Sequence, residues 1–105
     1  MSRRKLIAGN WKLHKTVGEA LELVRELRNV LGSVRDCDLV VAPPYTALWA
    51  VAQRLSDSHL QLAAQDLYHE DTGAFTGAVS GPMLKDAGCT FVLVGHSERR
   101  QLFGE

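Results

Sequence analysis

Four short apolar runs separated by stretches of helical spacing limit the possible folds more than any other feature of this sequence. The runs are Leu6-Ile7-Ala8, Leu39-Val40-Val41-Ala42, Leu60-Gln61-Leu62-Ala63-Ala64 and Phe91-Val92-Leu93-Val94. They imply the order β-α-β-α-β-α-β with the start of one more helix. Such alternation predicts a parallel sheet with right-handed crossovers, and units of roughly 30 residues are normal for it. The last run reads as a strand buried on both faces, as strands of parallel sheets are.

Between the runs the punctuation is local chemistry. Gly9 and Asn10 end the first run, and 11–14 follow as a loop. Thr16 and Glu19 have capping-box spacing. The helix they open carries apolar residues at 17, 20, 21, 24, 27 and 31, with Glu22, Arg25, Glu26 and Arg28 on or near the wet side, and Gly32 stops it. Pro43-Pro44 ends the second run, because proline cannot donate to a sheet ladder. A second helix over 46–55 buries Leu48, Val51, Ala52 and Leu55. A long polar loop runs from Gln65 to Ala78. Ser80 caps a short helix with Pro82 in its first turn, and Gly88 stops that helix. Gly95 turns the chain after the last run, and Ser97-Glu98 reads as the cap and first turn of the final helix.

A chain of 105 residues suffices for one small domain, and no linker or low-complexity tract divides it. Residues 1–105 read as a single unit. Twelve basic and twelve acidic residues balance, which argues against a nucleic-acid or anionic-membrane partner. Met1 to Lys5 is basic, but the apolar run behind it is shorter than the ~7–15 residues of a secretory signal. No segment approaches the ~20 apolar residues of a membrane span. Cys37 and Cys89 lie far apart beside predicted strands and read as reduced, buried thiols, which suits the cytoplasm.

Polar residues collect after every run: Asn10 and Lys12, Tyr45 and Thr46, Gln65, then His96 to Arg100. Parallel strands put all of these on one rim, at the carboxyl ends where α/β folds bind ligands. Lys12 and Asn10, behind a glycine, suit an anionic, oxygen-rich molecule such as a phosphorylated metabolite. A merely solvated lysine is equally compatible with that spacing. His96 sits at a strand end beside a helix start, which suits a neutral hydrogen-bond donor to a carbonyl; a structural histidine bonded to backbone is the other reading. His14, His59, His69 and His96 have no metal-ligand spacing. No dinucleotide or P-loop glycine signature follows a strand, and no nucleophile elbow surrounds Ser97. Neither a metal nor a cofactor is expected.

Ala8-Gly9-Asn10-Trp11-Lys12, Ala42-Pro43-Pro44, Ala64-Gln65, Gly73-Ala74-Phe75-Thr76-Gly77 and Val94-Gly95-His96-Ser97-Glu98-Arg99-Arg100, with Phe103-Gly104-Glu105 behind, occur in a characteristic order and spacing. In these motifs the sequence resembles the triosephosphate isomerase family over essentially its whole length. The resemblance implies an α/β (β/α)8 barrel, here only its N-terminal (β/α)4 half, and interconversion of dihydroxyacetone phosphate and glyceraldehyde 3-phosphate without a cofactor. By resemblance, Lys12 supplies positive charge for the phosphate and the enediolate, Asn10 helps bind substrate, and His96 is the neutral electrophile. Glu98 pairs with Lys12 or relays a proton. Thr76, on the Gln65–Ala78 loop, reaches a neighbouring subunit, and Gln65 and Arg99 belong to the same dimer contact.

Two positions depart from the family pattern. Asp66 stands where asparagine is more usual, and Ala78 stands where a glutamate usually follows Thr-Gly. That glutamate would pair with the neighbouring subunit's match to Arg99, so the departure puts one dimer ion pair in question. The largest departure is length, since a full barrel needs about 250 residues. In the family the catalytic base is a glutamate after the sixth strand. The expectation is therefore a half barrel that is inactive until a C-terminal half completes it. The alternative is a non-catalytic folding module that self-associates through its open edges.

Overall fold

The computed structural model describes residues 3–105. Met1 and Ser2, at the head of the basic N-terminal segment, lie outside the described residues. The chain runs β1 (Lys5–Asn10), α1 (Val17–Leu31), β2 (Cys37–Ala42), a 3-10 turn (Tyr45–Ala47) leading into α2 (Leu48–Leu55), β3 (Gln61–Ala64), α3 (Gly81–Ala87), β4 (Phe91–Val92) and α4 (Ser97–Leu102). The strands form one parallel sheet in the order β1-β2-β3-β4. Strand order equals chain order, so each helix crosses over to the adjacent strand. This is a half barrel with two open edges.

Side-chain alternation along the strands divides the core in two. Leu39 and Val41 of β2, with Leu62 and Ala64 of β3, face the helices and pack with Ala20, Val24, Val51, Leu55 and Leu84. Val40, Ala42 and Ala63 face the other way, where Leu93 joins them. α1 and α3 begin at the caps that the sequence offers. Thr16 Oγ1 accepts the Glu19 N–H while Glu19 Oε1 accepts the Thr16 N–H. Ser80 accepts the Met83 N–H, and Gly88 ends α3 in the left-handed region at φ 113. Arg28 ties α1 to α2 through the Arg54 carbonyl and Asp57.

Several expectations need correction. β1 continues through Gly9 and Asn10, because Asn10 still pairs with Ala42. The strand expected over Phe91–Val94 shrinks to two residues, and it is not buried on both faces: Val94 is 67% exposed. Burial on both faces needs a strand on each side and a layer above and below; β4 has a neighbour only in β3. The same holds at the other edge, where Ile7 is 57% exposed. The second helix opens with a 3-10 turn, since Pro44 has no side-chain acceptor to cap it. Gly32 follows α1 in the right-handed region, and its use is room: a Cβ there would lie 2.6 Å from the Arg28 carbonyl oxygen. Cys37 is only partly buried. Cys89 is buried, and both are free thiols; burial pushes the Cys89 thiol pKa up.

Candidate active site at the carboxyl ends of the strands

The rim begins with the end of β1. Asn10 Oδ1 accepts the Lys12 backbone N–H at 2.9 Å, a turn that asparagine makes readily. This turn carries Lys12 at φ 56, in a region that costs a residue with a Cβ about 1–2 kcal/mol. The Trp11 N–H donates to the Ala42 carbonyl and ties the turn to the end of β2. Gln65 follows β3 directly. Its Nε2 donates to the Lys12 carbonyl at 2.9 Å and to the Ala42 carbonyl at 2.8 Å. The peptide groups on both sides of the Lys12 Cα are therefore held by side chains.

From that backbone the Lys12 side chain crosses to α4. Its Nζ lies 2.8 Å from Glu98 Oε2. This hydrogen bond holds the Glu98 carboxyl below the usual carboxylate range, against a smaller opposing effect of desolvation. Both side chains are about half exposed, so the pair shapes the site more than it stabilises the fold.

His96, not Ser97, caps α4. Its Nδ1 accepts the Glu98 backbone N–H at 3.1 Å. A nitrogen that accepts has no proton, so the ring proton sits on Nε2 and the ring is neutral. Glu98 Oε1 also lies 3.5 Å from the same Nδ1. An ion pair there would need a proton on Nδ1, and the backbone donor excludes it. We therefore assign the neutral ring with Nε2–H as its outward donor.

The structure brings Asn10, Lys12, His96 and Glu98 together, from opposite ends of the chain. The other expected site residues lie elsewhere or act differently. Thr76 is on the exposed stretch 69–78. Arg99 has partners within the chain: Asp66 at 3.0 Å and Glu105 at 2.7 Å, with the Phe103 ring 4.6 Å below its guanidinium. Asp66, one of the departures from the family pattern, thus supplies a carboxylate to Arg99 in its own chain. Burial raises the Asp66 pKa, and Arg99 only partly offsets this. Tyr45, expected on the rim, donates its hydroxyl to the Asp66 carbonyl at 2.6 Å. Burial, with the Asp66 charge second, pushes that phenol pKa up to about 12. The sequence put Gln65 on the rim and, by resemblance, in a dimer contact, but did not disclose its bond to Lys12, which spans 53 residues.

Among the described residues no three His, Cys, Asp or Glu side chains converge on a metal position, and no helix is long and apolar enough to cross a membrane.

The triosephosphate isomerase family model matches residues 5–105. The chain is 61% identical to a triosephosphate isomerase of Chloroflexus aurantiacus over 103 residues, which are 98% of this chain and 41% of that protein. A triosephosphate isomerase of Syntrophotalea carbinolica is 60% identical over the same shares. The crystal structure of triosephosphate isomerase from Bartonella henselae superposes with a TM-score of 0.91 at 36% identity, over 98% of this chain and 42% of that one. The chain thus spans about two fifths of the length of these relatives.

Proposed function

The chain belongs to the triosephosphate isomerase family, and on that premise we propose that it is the N-terminal half of an enzyme interconverting dihydroxyacetone phosphate and glyceraldehyde 3-phosphate. The observation that supports this best is the meeting of Lys12, Glu98 and a neutral His96 on one rim. The Lys12 ammonium attracts the substrate phosphate and stabilises negative charge on the substrate oxygens. The His96 Nε2–H donates to the carbonyl oxygen and strengthens that bond as an enediolate forms, which is where a preorganised donor lowers a barrier. Asn10 shapes the turn under the substrate. Glu98 places the ammonium.

The reaction moves a proton between neighbouring carbons, and none of these four side chains is placed as its base. By family resemblance the base lies after the sixth strand, and a positioned base contributes about 10²–10⁴-fold. The 105-residue chain by itself therefore has no useful isomerase turnover. Mixing it with a separately made C-terminal half tests the reading. Activity should appear in the mixture and vanish with Lys12→Met or His96→Gln. Full-rate turnover by this chain alone, or a mixture that forms a complex and stays inert, overturns it. The same reading makes the product a cytoplasmic glycolytic enzyme and a homodimer that uses the Gln65–Ala78 loop, with Thr76 as its reaching residue.

A second reading has its own support. Leu6 and Ile7 of β1 and Phe91 and Val92 of β4, the two edge strands, are exposed, and such edges pair with other chains. In this reading the chain is a non-catalytic half-barrel module that self-associates. Sedimentation of the isolated chain as a monomer would exclude it.

A further inference from the structure

We propose that Gln65 is a positioning residue: its side-chain amide locks the Lys12 backbone in the left-handed region and thereby sets where the Lys12 ammonium stands. The inference deepens the reading above, since it bears on catalysis through the Lys12 role assigned there. Lys12 is one of two residues other than glycine with positive φ among the described residues. A lysine leaves that region unless its surroundings over-determine it. Two side chains do so. Asn10 holds the Lys12 N–H from within the same turn, and Gln65 holds the Lys12 carbonyl from across the sheet.

The orientation of the Gln65 amide follows from its partners. Both are carbonyl oxygens, at 2.9 and 2.8 Å, so the nitrogen must face them; a flipped amide would set oxygen against oxygen. One planar group thus joins the turn after β1 to the end of β2 from a base at the end of β3. Asn10 fixes the turn locally, and the Trp11 N–H ties its start to the Ala42 carbonyl. The Gln65 amide reaches that same carbonyl and the Lys12 carbonyl, so it also fixes the far side of Lys12 against the end of β2. With the backbone so held, the side chain reaches Glu98 at 2.8 Å.

The test reads geometry and not turnover, so it is independent of whether the completed barrel is an isomerase. In the wild-type chain, NMR should detect scalar coupling across the hydrogen bond from the Gln65 side-chain amide to the Lys12 carbonyl. Its absence overturns the proposal. Gln65→Met keeps the length and removes both donors. Carboxyl titrations then compare Glu98, which faces Lys12 and His96, with Glu105, which Arg99 holds low by a separate hydrogen bond. In the variant the Glu98 midpoint should rise toward the ordinary value of about 4.3, and the strong intraresidue amide–Hα NOE of Lys12, which marks positive φ, should weaken, while Glu105 keeps its depressed midpoint. An unchanged Glu98, or an equal rise of Glu98 and Glu105 from general loosening, overturns it. Should Gln65→Met fail to fold, the wild-type coupling measurement decides alone.

Discussion

Glu98 and Tyr45 carry opposite pKa shifts, and so opposite dependences of stability on pH. The Lys12 hydrogen bond lowers the Glu98 pKa. A carboxyl with a lowered folded value adds stability above its unfolded value of about 4.3, and loses it as pH falls through the folded value. Lys12→Met should therefore raise the Glu98 midpoint in a carboxyl NMR titration and flatten the acid loss of stability between those values. Tyr45 is raised to about 12. Its contribution is complete below the ordinary tyrosine value of about 10 and disappears as pH rises through the folded value. Absorbance titration should show a late phenolate step near 12 that Tyr45→Phe removes. Tyr45 is 38% exposed, so solvent screens the effect and the step tests the environment and not a large stability term.

The elements owe their positions to a few contacts that no helical or strand pattern announces. α3 ends at Gly88, whose φ of 113 favours glycine and whose missing Cβ would fall 2.7 Å from the Ala52 Cβ of α2. Two costs coincide there, one of conformation and one of space. Gly88→Ala should destabilise the chain by about 1–3 kcal/mol in urea denaturation, whereas Gly18→Ala, which meets nothing within 4 Å, should not lower stability. At α4 the element scale and the site merge. His96 caps the helix through Nδ1, which leaves Nε2 to carry the ring proton, so the cap fixes the tautomer. The sequence pointed to serine at that position because serine is the commoner cap. A histidine takes it when its ring nitrogen meets the N–H two residues on, and only the backbone path after Gly95 shows that.

As a whole the molecule is a sheet with one face covered by helices and both edges open. β1 and β4 are the outer strands, and their apolar side chains remain in water. A barrel closes such edges by pairing each with a further strand. The isolated chain should therefore sediment above monomer mass, and Ile7→Lys, a charge on the β1 edge, should shift it toward monomer. A completing C-terminal half should suppress this self-association in proportion to the activity it restores. A wild-type monomer with cooperative unfolding would show instead that the edges are tolerated without a partner.

The division between what was legible in the sequence and what was not follows the range of the interactions. The alternating elements, their caps at Thr16 and Ser80, the stop at Gly88 and the placing of Asn10, Lys12, His96 and Glu98 on one rim could all be read directly. Each depends on residues a few positions apart, or on the rule that parallel strands share an end. The family could be read too, because its motifs are local strings. Burial of the last strand could not, because it depends on neighbours that local sequence does not name. The bond from Gln65 to the Lys12 carbonyl, the Arg99–Asp66 pair and the bond from the Tyr45 hydroxyl to the Asp66 carbonyl join residues 21 to 53 positions apart. Periodicity carries no information about such pairs. Tertiary structure alone decided that Lys12 stands in a left-handed turn and which side chains keep it there, because closing those contacts requires the sheet to be built first.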